Sequence, residues 1–341
     1  MAEVSVGIAG VGICVPDRVL TNRDLESMVD TSDEWIRERT GIRERRIAAP
    51  DQSTSDLAVV AARRALADAG VTPGEVDLII VATVTPDMVF PSTASLVQER
   101  LGCGPVGAFD LSAGCTGFLY GLVAGAQFIA AGTYRTVLVI GAETLSKIIN
   151  WEDRSTCVLF GDGAGAVVLR PAPAGWGLLA ACLGSDGAGG DLLKIPAGGS
   201  RLPASALTVE KKLHYIHMNG REVFRFAVRI LSEAASEVIR AAGLKQDQID
   251  LFIPHQANIR IIKAAVKRLE LPMDRVVVNV DRYGNTSSAS VPLALDEAAR
   301  SGRLADGDRV VMVAFGAGLS WAAAAVRWYS TASRGTPEPT G

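Results

Sequence analysis

The chain is 341 residues long, 48% hydrophobic but only 6% aromatic, with a net charge of −3. That length suggests two domains or one duplicated one around a large aliphatic core, and the near-neutral charge lacks the dense basic field that nucleic acid or an anionic membrane would require. The five cysteines, Cys14, Cys103, Cys115, Cys157 and Cys182, are scattered, odd in number and without C-x-x-C spacing, which fits a reducing cytosol better than a disulfide framework.

Val4 to Val15 reads as a first strand and turn, and Glu3 in place of a positive start argues against a signal peptide. A helix is expected over Asp56 to Ala69, stopped by Gly70, and a strand over Leu78 to Val81. Gly117 to Gly132 is apolar, but Gln127 and several glycines break it and it is too short to span a bilayer. Strands follow at Val137 to Ile140 and Ala166 to Leu169. The stretch Gly161-Asp162-Gly163-Ala164-Gly165 before the latter lacks the lysine and hydroxyl of a phosphate loop, so a tight turn is expected there. His214 and His217 have H-x-x-H spacing without a third ligand nearby in sequence, so no metal is expected. A helix over Arg221 to Ala242 stops at Gly243, and strands are expected at Leu251 to Ile253, Val276 to Val280 and Val310 to Val313. Alternation of this kind predicts layered α/β structure.

The chain also repeats itself. Ala69-Gly70-Val71 followed by Val76-Asp77-Leu78-Ile79-Ile80 reappears 173 residues later as Ala242-Gly243-Leu244 followed by Ile249-Asp250-Leu251-Phe252-Ile253. Arg135-Thr136-Val137 leading to Gly141-Ala142 is echoed by Arg309-Val310-Val311 leading to Gly316-Ala317, and Gly114-Cys115-Thr116 faces Gly284-Asn285-Thr286. Such order predicts a tandem duplication, with halves over 1–173 and 174–330 and a disordered tail over 331–341. A pseudo-two-fold axis would bring Cys115 and Asn285 together, and His255, after the strand Leu251 to Ile253, stands at a strand-to-helix corner where an α/β sheet places site residues.

Cys115 opens the apolar helix, where unpaired N–H groups and the macrodipole favour a thiolate; the plain alternative is a buried small hydrophobe. Cysteine, histidine and asparagine together suit acyl chemistry on a thioester. The thiolate takes the acyl group, while neutral imidazole and carboxamide N–H groups stabilise an oxyanion or enolate. Phe315-Gly316-Ala317-Gly318 offers backbone N–H groups to an oxyanion, or is a simple strand-end turn. In the helix after His255, Ile259, Ile262, Val266 and Leu269 form an apolar stripe beside a basic one of Arg260, Lys263 and Lys267.

From about Gly7 to Trp328 the chain resembles the β-ketoacyl-acyl-carrier-protein synthases III of the thiolase-like superfamily. The resemblance rests on Asp30-Thr31-Ser32-Asp33-Glu34-Trp35-Ile36, Thr40-Gly41-Ile42-Arg43-Glu44-Arg45, Phe90-Pro91-Ser92, Ala108-Phe109-Asp110, Phe160-Gly161-Asp162-Gly163-Ala164-Gly165, Pro254-His255-Gln256-Ala257-Asn258 and Gly284-Asn285-Thr286-Ser287. It implies a thiolase-like α/β fold of two duplicated halves packed as five layers, α/β/α/β/α, in a cytoplasmic homodimer without cofactor. It also implies initiation of type II fatty acid synthesis from an acyl-CoA, with acetyl-CoA the expected starter, and malonyl-acyl-carrier protein. Under it Cys115 is the acylated nucleophile, and His255 and Asn285 bind the malonyl thioester and stabilise the enolate left by loss of CO2. The amides of Cys115, Ala317 and Gly318 hold the tetrahedral oxyanion. Trp35 and Arg154 flank the coenzyme A adenine, Arg39 lies near its phosphates, and Gly220 and Asn258 lie along the pantetheine arm. Gln256, Ala257, Asn258, Ile259, Arg260, Lys263 and Lys267 meet the acidic carrier protein, and Phe90 closes the acyl pocket of the partner subunit.

Some positions depart from the enterobacterial pattern: Gly114 stands for alanine, Ala317 for glycine, and the segment Ala197 to Leu213 is longer, which leaves the starter's size open. The nearest rival is a priming synthase of a polyketide pathway. A papain-like cysteine hydrolase shares the residue order but has tryptophan after its nucleophile, where this chain has Thr116. A catalytically silent dimeric binding protein is the third reading.

Overall fold

The computed structural model describes residues 4–328; the expected tail 331–341 lies outside them. Two sheets carry the architecture. The first runs in the order Val6–Cys14, Gly163–Pro171, Val137–Glu143, Leu78–Ala82 and Gly107–Leu111, and the second in the order Leu251–Pro254, Arg309–Gly316, Ser320–Arg327 and Gly177–Ser185. Leu78–Ala82 runs parallel to both of its neighbours, as Leu251–Pro254 does to Arg309–Gly316, whereas the remaining pairings within the two sheets are antiparallel.

Side-chain alternation explains the layering. In Ser320–Arg327, Ala322 and Ala324 face one core while Ala323 and Ala325 face another, so the strand is buried on both sides and reads as a continuous apolar run. Between the sheets, helices Gly117–Ala130 and Ser290–Arg300 contribute Phe118, Leu122, Val291 and Leu295 to one shared core. Thr54–Ala69 and Thr93–Leu101 cover the outer face of the first sheet, and Gly220–Ala241 and Ile259–Arg268 that of the second. Five layers result. Each fully buried Leu, Ile or Phe contributes about 1.5–3 kcal/mol by leaving water.

The internal repeat is visible in local bonding. The Asp77 carboxylate accepts the amides of Arg135 and Thr136, and Asp250 accepts that of Arg309. Thr72 N–H donates to the Glu75 side chain, and Lys245 N–H to that of Gln248. Gly70 closes its helix at φ 62, and Gly243 follows the second helix at φ 68.

Three expectations need correction. Val276–Val280 is no strand: Val276 makes one isolated bridge to Phe252, after which the Gln256 side chain donates to Val277 O and accepts from the amides of Asn279 and Val280. That carboxamide satisfies the backbone in place of a ladder. Gly161–Gly165 is no tight turn either, because the strand begins at Gly163. A Cβ at Gly161 would lie 2.3 Å from Tyr283 O, and one at Gly165 2.6 Å from Pro292, so these glycines let other chain segments approach closely. Thirdly, the apolar stripe of helix Ile259–Arg268 includes buried Ile261, while Ile259 is only half-buried. His214 bonds Thr208 Oγ1 and His217 faces Lys212 O. Among the described residues no helix is long and apolar enough to cross a membrane.

Candidate active site

Cys115 lies in a single 3-10 turn, Gly114–Thr116, that leads into helix Gly117–Ala130. Asn285 stands just before the matching turn, Ser287–Ala289, that leads into Ser290–Arg300. The duplicated halves thus aim two helix beginnings at one place. Gly114 adopts φ 55, and a Cβ there would sit 3.1 Å from Ala317 N; one at Gly316 would sit 2.7 Å from Cys115 N. Glycine at both positions brings the Cys115 and Ala317 amides side by side.

A cavity of about 100 Å³ joins Cys115, His255 and Asn285, with Phe224, Phe315 and Gly316 among its walls. A second cavity of about 230 Å³ meets the other side of Cys115 and is lined mainly by aliphatic side chains, including Val84, Leu145, Ile148 and Ile216. The thiol therefore stands between the cavity that holds His255 and Asn285 and an apolar chamber.

Burial pushes the Cys115 thiol from an ordinary 9.0 up to about 12; the Ser287 hydroxyl and the residue's own amide pull it down, and Glu143 raises it further. That rise corresponds to about 4 kcal/mol, whereas a helix end supplies at most about 2 kcal/mol. Burial therefore opposes the stabilisation that the helix end is expected to give the Cys115 thiolate.

His255 is 1% exposed, packs edge-on against Phe315 at 5.4 Å, and has Nδ1 2.5 Å from Ser290 Oγ. Ser290 Oγ also accepts the Gln256 N–H at 3.4 Å; with the Ser290 hydroxyl donating to Nδ1, the imidazole proton sits on Nε2. Nε2 has no protein partner and belongs to a residue lining the reaction cavity. Burial lowers the imidazole to about 3, so the ring is neutral from about pH 4 upward. Decarboxylation of a malonyl thioester is accordingly expected to show no limb near pH 6.5, because His255 gains a proton only as pH falls through its lowered value. A pH–rate profile of CO2 release checks this, and a fall centred near 6.5 would refute it.

Asn285 is held by its backbone: its N–H donates to Leu159 O and its carbonyl accepts from Gly161 N–H. Its Oδ1 accepts the Ser287 N–H at 2.9 Å, which turns Nδ2 toward the cavity as a donor.

The remaining expected residues are distributed unevenly. Ala317 lines the apolar chamber, but Gly318 lines neither cavity. Gly220 and Asn258 border the reaction cavity. The Asn258 side chain caps its own helix through Arg260 N–H and donates to Arg39 O, so it positions the exposed Arg39 segment. Arg154 stacks over Trp35 at 5.3 Å and donates to Asp30 O. Arg260, Lys263 and Lys267 are exposed. Gln256, 1% exposed, and Ala257, 9% exposed, are buried, so neither side chain is available to a docking partner. Phe90, 83% exposed, lines neither cavity of its own chain and stands next to Val89 at 88%.

Ser290 escaped sequence reasoning, because it meets the His255 ring from 35 residues away.

Two family models match, described as 3-oxoacyl-[acyl-carrier-protein] synthase III over residues 109–187 and its C-terminal part over 239–328. A β-ketoacyl-[acyl-carrier-protein] synthase III of Symbiobacterium thermophilum is 64% identical, covering 95% of this chain and 98% of its own; one from Desulfitobacterium hafniense is 63% identical with the same coverage. The crystal structure of the Thermus thermophilus synthase III matches with TM-score 0.90 at 52% identity, over 95% of this chain and 99% of that one. The priming β-ketosynthase of the R1128 polyketide pathway matches with TM-score 0.89 at 40% identity, over 96% and 98%. With a thiol, a neutral imidazole and a carboxamide donor converging on one cavity of a thiolase-like fold, the chain belongs to the β-ketoacyl-[acyl-carrier-protein] synthase III family.

Proposed function

We propose that the protein is an acyltransferase that condenses an acyl-CoA starter with malonyl-acyl-carrier protein, with loss of CO2, to give 3-oxoacyl-acyl-carrier protein at the start of type II fatty acid synthesis. The observation that carries this reading is the donor geometry around Cys115: His255 Nε2 and Asn285 Nδ2 face the same cavity as the sulfur and neither is a base at neutral pH. They hold the malonyl thioester carbonyl, and departure of CO2 leaves an enolate whose developing charge both N–H groups stabilise. Its carbon attacks the acyl group on Cys115, whose oxyanion meets the Cys115 and Ala317 amides. A hydrolase would need a base to activate water, and the imidazole in the cavity, His255, is a weakened one because burial disfavours its protonated form. Incubation with acetyl-CoA and malonyl-carrier protein decides: one CO2 per carbon–carbon bond supports the synthase, and free acetate alone refutes it. The relatives that are 53–64% identical carry the synthase III name, which favours this pathway over polyketide priming.

Coenzyme A enters past Gly220 and Asn258, with the Trp35–Arg154 stack opening to take the adenine and Arg39 beside the phosphates. The apolar chamber of about 230 Å³ takes the acyl chain. Exposed Arg260, Lys263 and Lys267 dock the acidic carrier protein, with Ile259 beside them. Reversing Lys263 and Arg260 to Glu is expected to raise KM for malonyl-carrier protein about tenfold or more at low salt, with little change in kcat. The difference should shrink at high ionic strength; an unchanged KM would remove this helix from the docking surface.

The protein acts in the cytoplasm as a homodimer, and the exposed Met88-Val89-Phe90 segment meets the second copy, where Phe90 closes the partner's acyl chamber. Phe90→Asp is expected to shift sedimentation toward the single chain and to lower acylation; a dimer unaffected by this change would contradict the assignment.

A further inference from the structure

The Asn285 carboxamide is oriented by a turn that a distant carboxyl group holds in place. Asn285 Oδ1 accepts the Ser287 N–H at 2.9 Å, and Ser287 holds a left-handed φ of 49, a conformation that a non-glycine residue keeps only where its surroundings enforce it. The enforcing contact comes from 144 residues away: the Ser287 hydroxyl donates to Glu143 Oε1 at 3.0 Å. Ser288 Oγ lies 3.0 Å from the same oxygen and 2.8 Å from Ala82 O. Glu143 ends the strand Val137–Glu143 and is 0% exposed.

The second carboxyl oxygen reaches the other way. Glu143 Oε2 accepts Thr85 Oγ1 at 2.6 Å, the Val84 amide at 3.1 Å and Thr83 Oγ1 at 3.2 Å. Glu143 thus ties the turn Ser287–Ala289 to the segment that follows the strand Leu78–Ala82, and a two-oxygen acceptor suits a buried junction at which hydroxyls and a backbone N–H arrive from separate parts of the chain. The strand is also cleared for the turn to seat against it. Two residues before Glu143, a Cβ at Gly141 would lie 2.3 Å from Ser288 O.

We propose that Glu143 is a positioning residue for the decarboxylation step: through the Ser287 hydroxyl it holds the left-handed turn whose N–H fixes the Asn285 carboxamide, and so keeps Nδ2 aimed at the malonyl thioester carbonyl. The inference rests on the reading of Asn285 as a donor to that carbonyl. Glu143 exchanges no proton with substrate in this role. Without its hold the Ser287 backbone leaves the left-handed region, Asn285 Oδ1 loses its donor, and the carboxamide is free to rotate. A donor stabilises developing enolate charge only when it is aimed beforehand, so the loss appears in the rate of CO2 release and not in the binding of the carrier protein.

The test measures kcat and KM for CO2 release from malonyl-carrier protein by the full-length protein. Ser287→Ala loses the hydroxyl and still needs a left-handed φ, whereas Ser287→Gly loses the same hydroxyl but takes that φ unaided. Ser287→Ala is expected to lower kcat about tenfold or more with KM within about threefold of wild type, and Ser287→Gly to retain a kcat at least about threefold above that of Ser287→Ala. Glu143→Ala is expected to lower kcat about tenfold or more in the wild type but less than about threefold in the Ser287→Gly background, where the hydroxyl it acts through is absent. Equal losses in the two backgrounds, or equal kcat in Ser287→Ala and Ser287→Gly, overturn the positioning role. Should Glu143→Ala fail to fold, the two Ser287 variants decide. Asn285→Ala separates the two readings: a kcat unchanged by that substitution overturns the donor reading of Asn285, and the positioning role with it.

Discussion

Asn285→Asp is expected to abolish condensation while leaving Cys115 open to acylation. The substitution keeps the size of the side chain and leaves an oxygen to accept the Ser287 N–H, now at Oδ1 of a carboxylate. What changes is the atom facing the reaction cavity, from an N–H donor to a second anionic oxygen. Loss of one such donor costs about 10²–10³ in rate, and a carboxylate adds repulsion of the enolate, so the loss of 3-oxoacyl product should exceed about 10³-fold. Acetylation, which does not draw on this donor, should stay within about tenfold of wild type. Parallel loss of both would mean that Asn285 holds the site together and does not act on the enolate alone.

The largest effect on stability is expected from Arg45→Met. Arg45 is the bulkiest fully buried side chain, 0% exposed, on the short strand Glu44–Arg46. Its guanidinium donates to Leu20 O, Asn22 Oδ1 and Val158 O. Burial lowers it to about 10, so at neutral pH it is still a cation held by oxygen acceptors. Its Cβ also lies 3.0 Å from the Cβ direction of Gly161 and 3.3 Å from that of Gly284, directly beneath the backbone that anchors Asn285. Methionine fills similar volume but leaves three buried acceptors without a donor, a loss of about 3–5 kcal/mol in unfolding free energy. Chemical denaturation followed by circular dichroism measures this; a change within about 1 kcal/mol would show that water reaches those acceptors.

Local signals were readable along the chain where the cause is local. Gly70 and Gly243 end helices because each takes a left-handed conformation, and the repeat was legible because Asp77 and Asp250 bind equivalent amides a short loop away. Cys115 and Asn285 could be paired from the repeat alone, since both precede helices of the shared middle layer. Non-local causes were hidden. Burial that raises the Cys115 thiol and lowers the His255 imidazole comes from segments far apart in the chain, and Ser290, the partner of His255 Nδ1, is 35 residues away. Val276–Val280 has β-type side chains, yet the Gln256 carboxamide takes the hydrogen bonds that a strand would have used. Gly161–Gly165 has turn-type composition because glycine clears Tyr283 and Pro292, which no local pattern announces.

In the proposed function Cys115 carries the acyl chain alone, and His255 and Asn285 serve the incoming enolate. Intact-protein and peptide mass spectrometry after incubation with acetyl-CoA, on wild type and on His255→Ala, tests it most directly. A single acetyl group is expected on the peptide containing Cys115 in both proteins, with CO2 release from malonyl-carrier protein lost only in the variant. An acetyl group on any other residue, or none on Cys115, would contradict it.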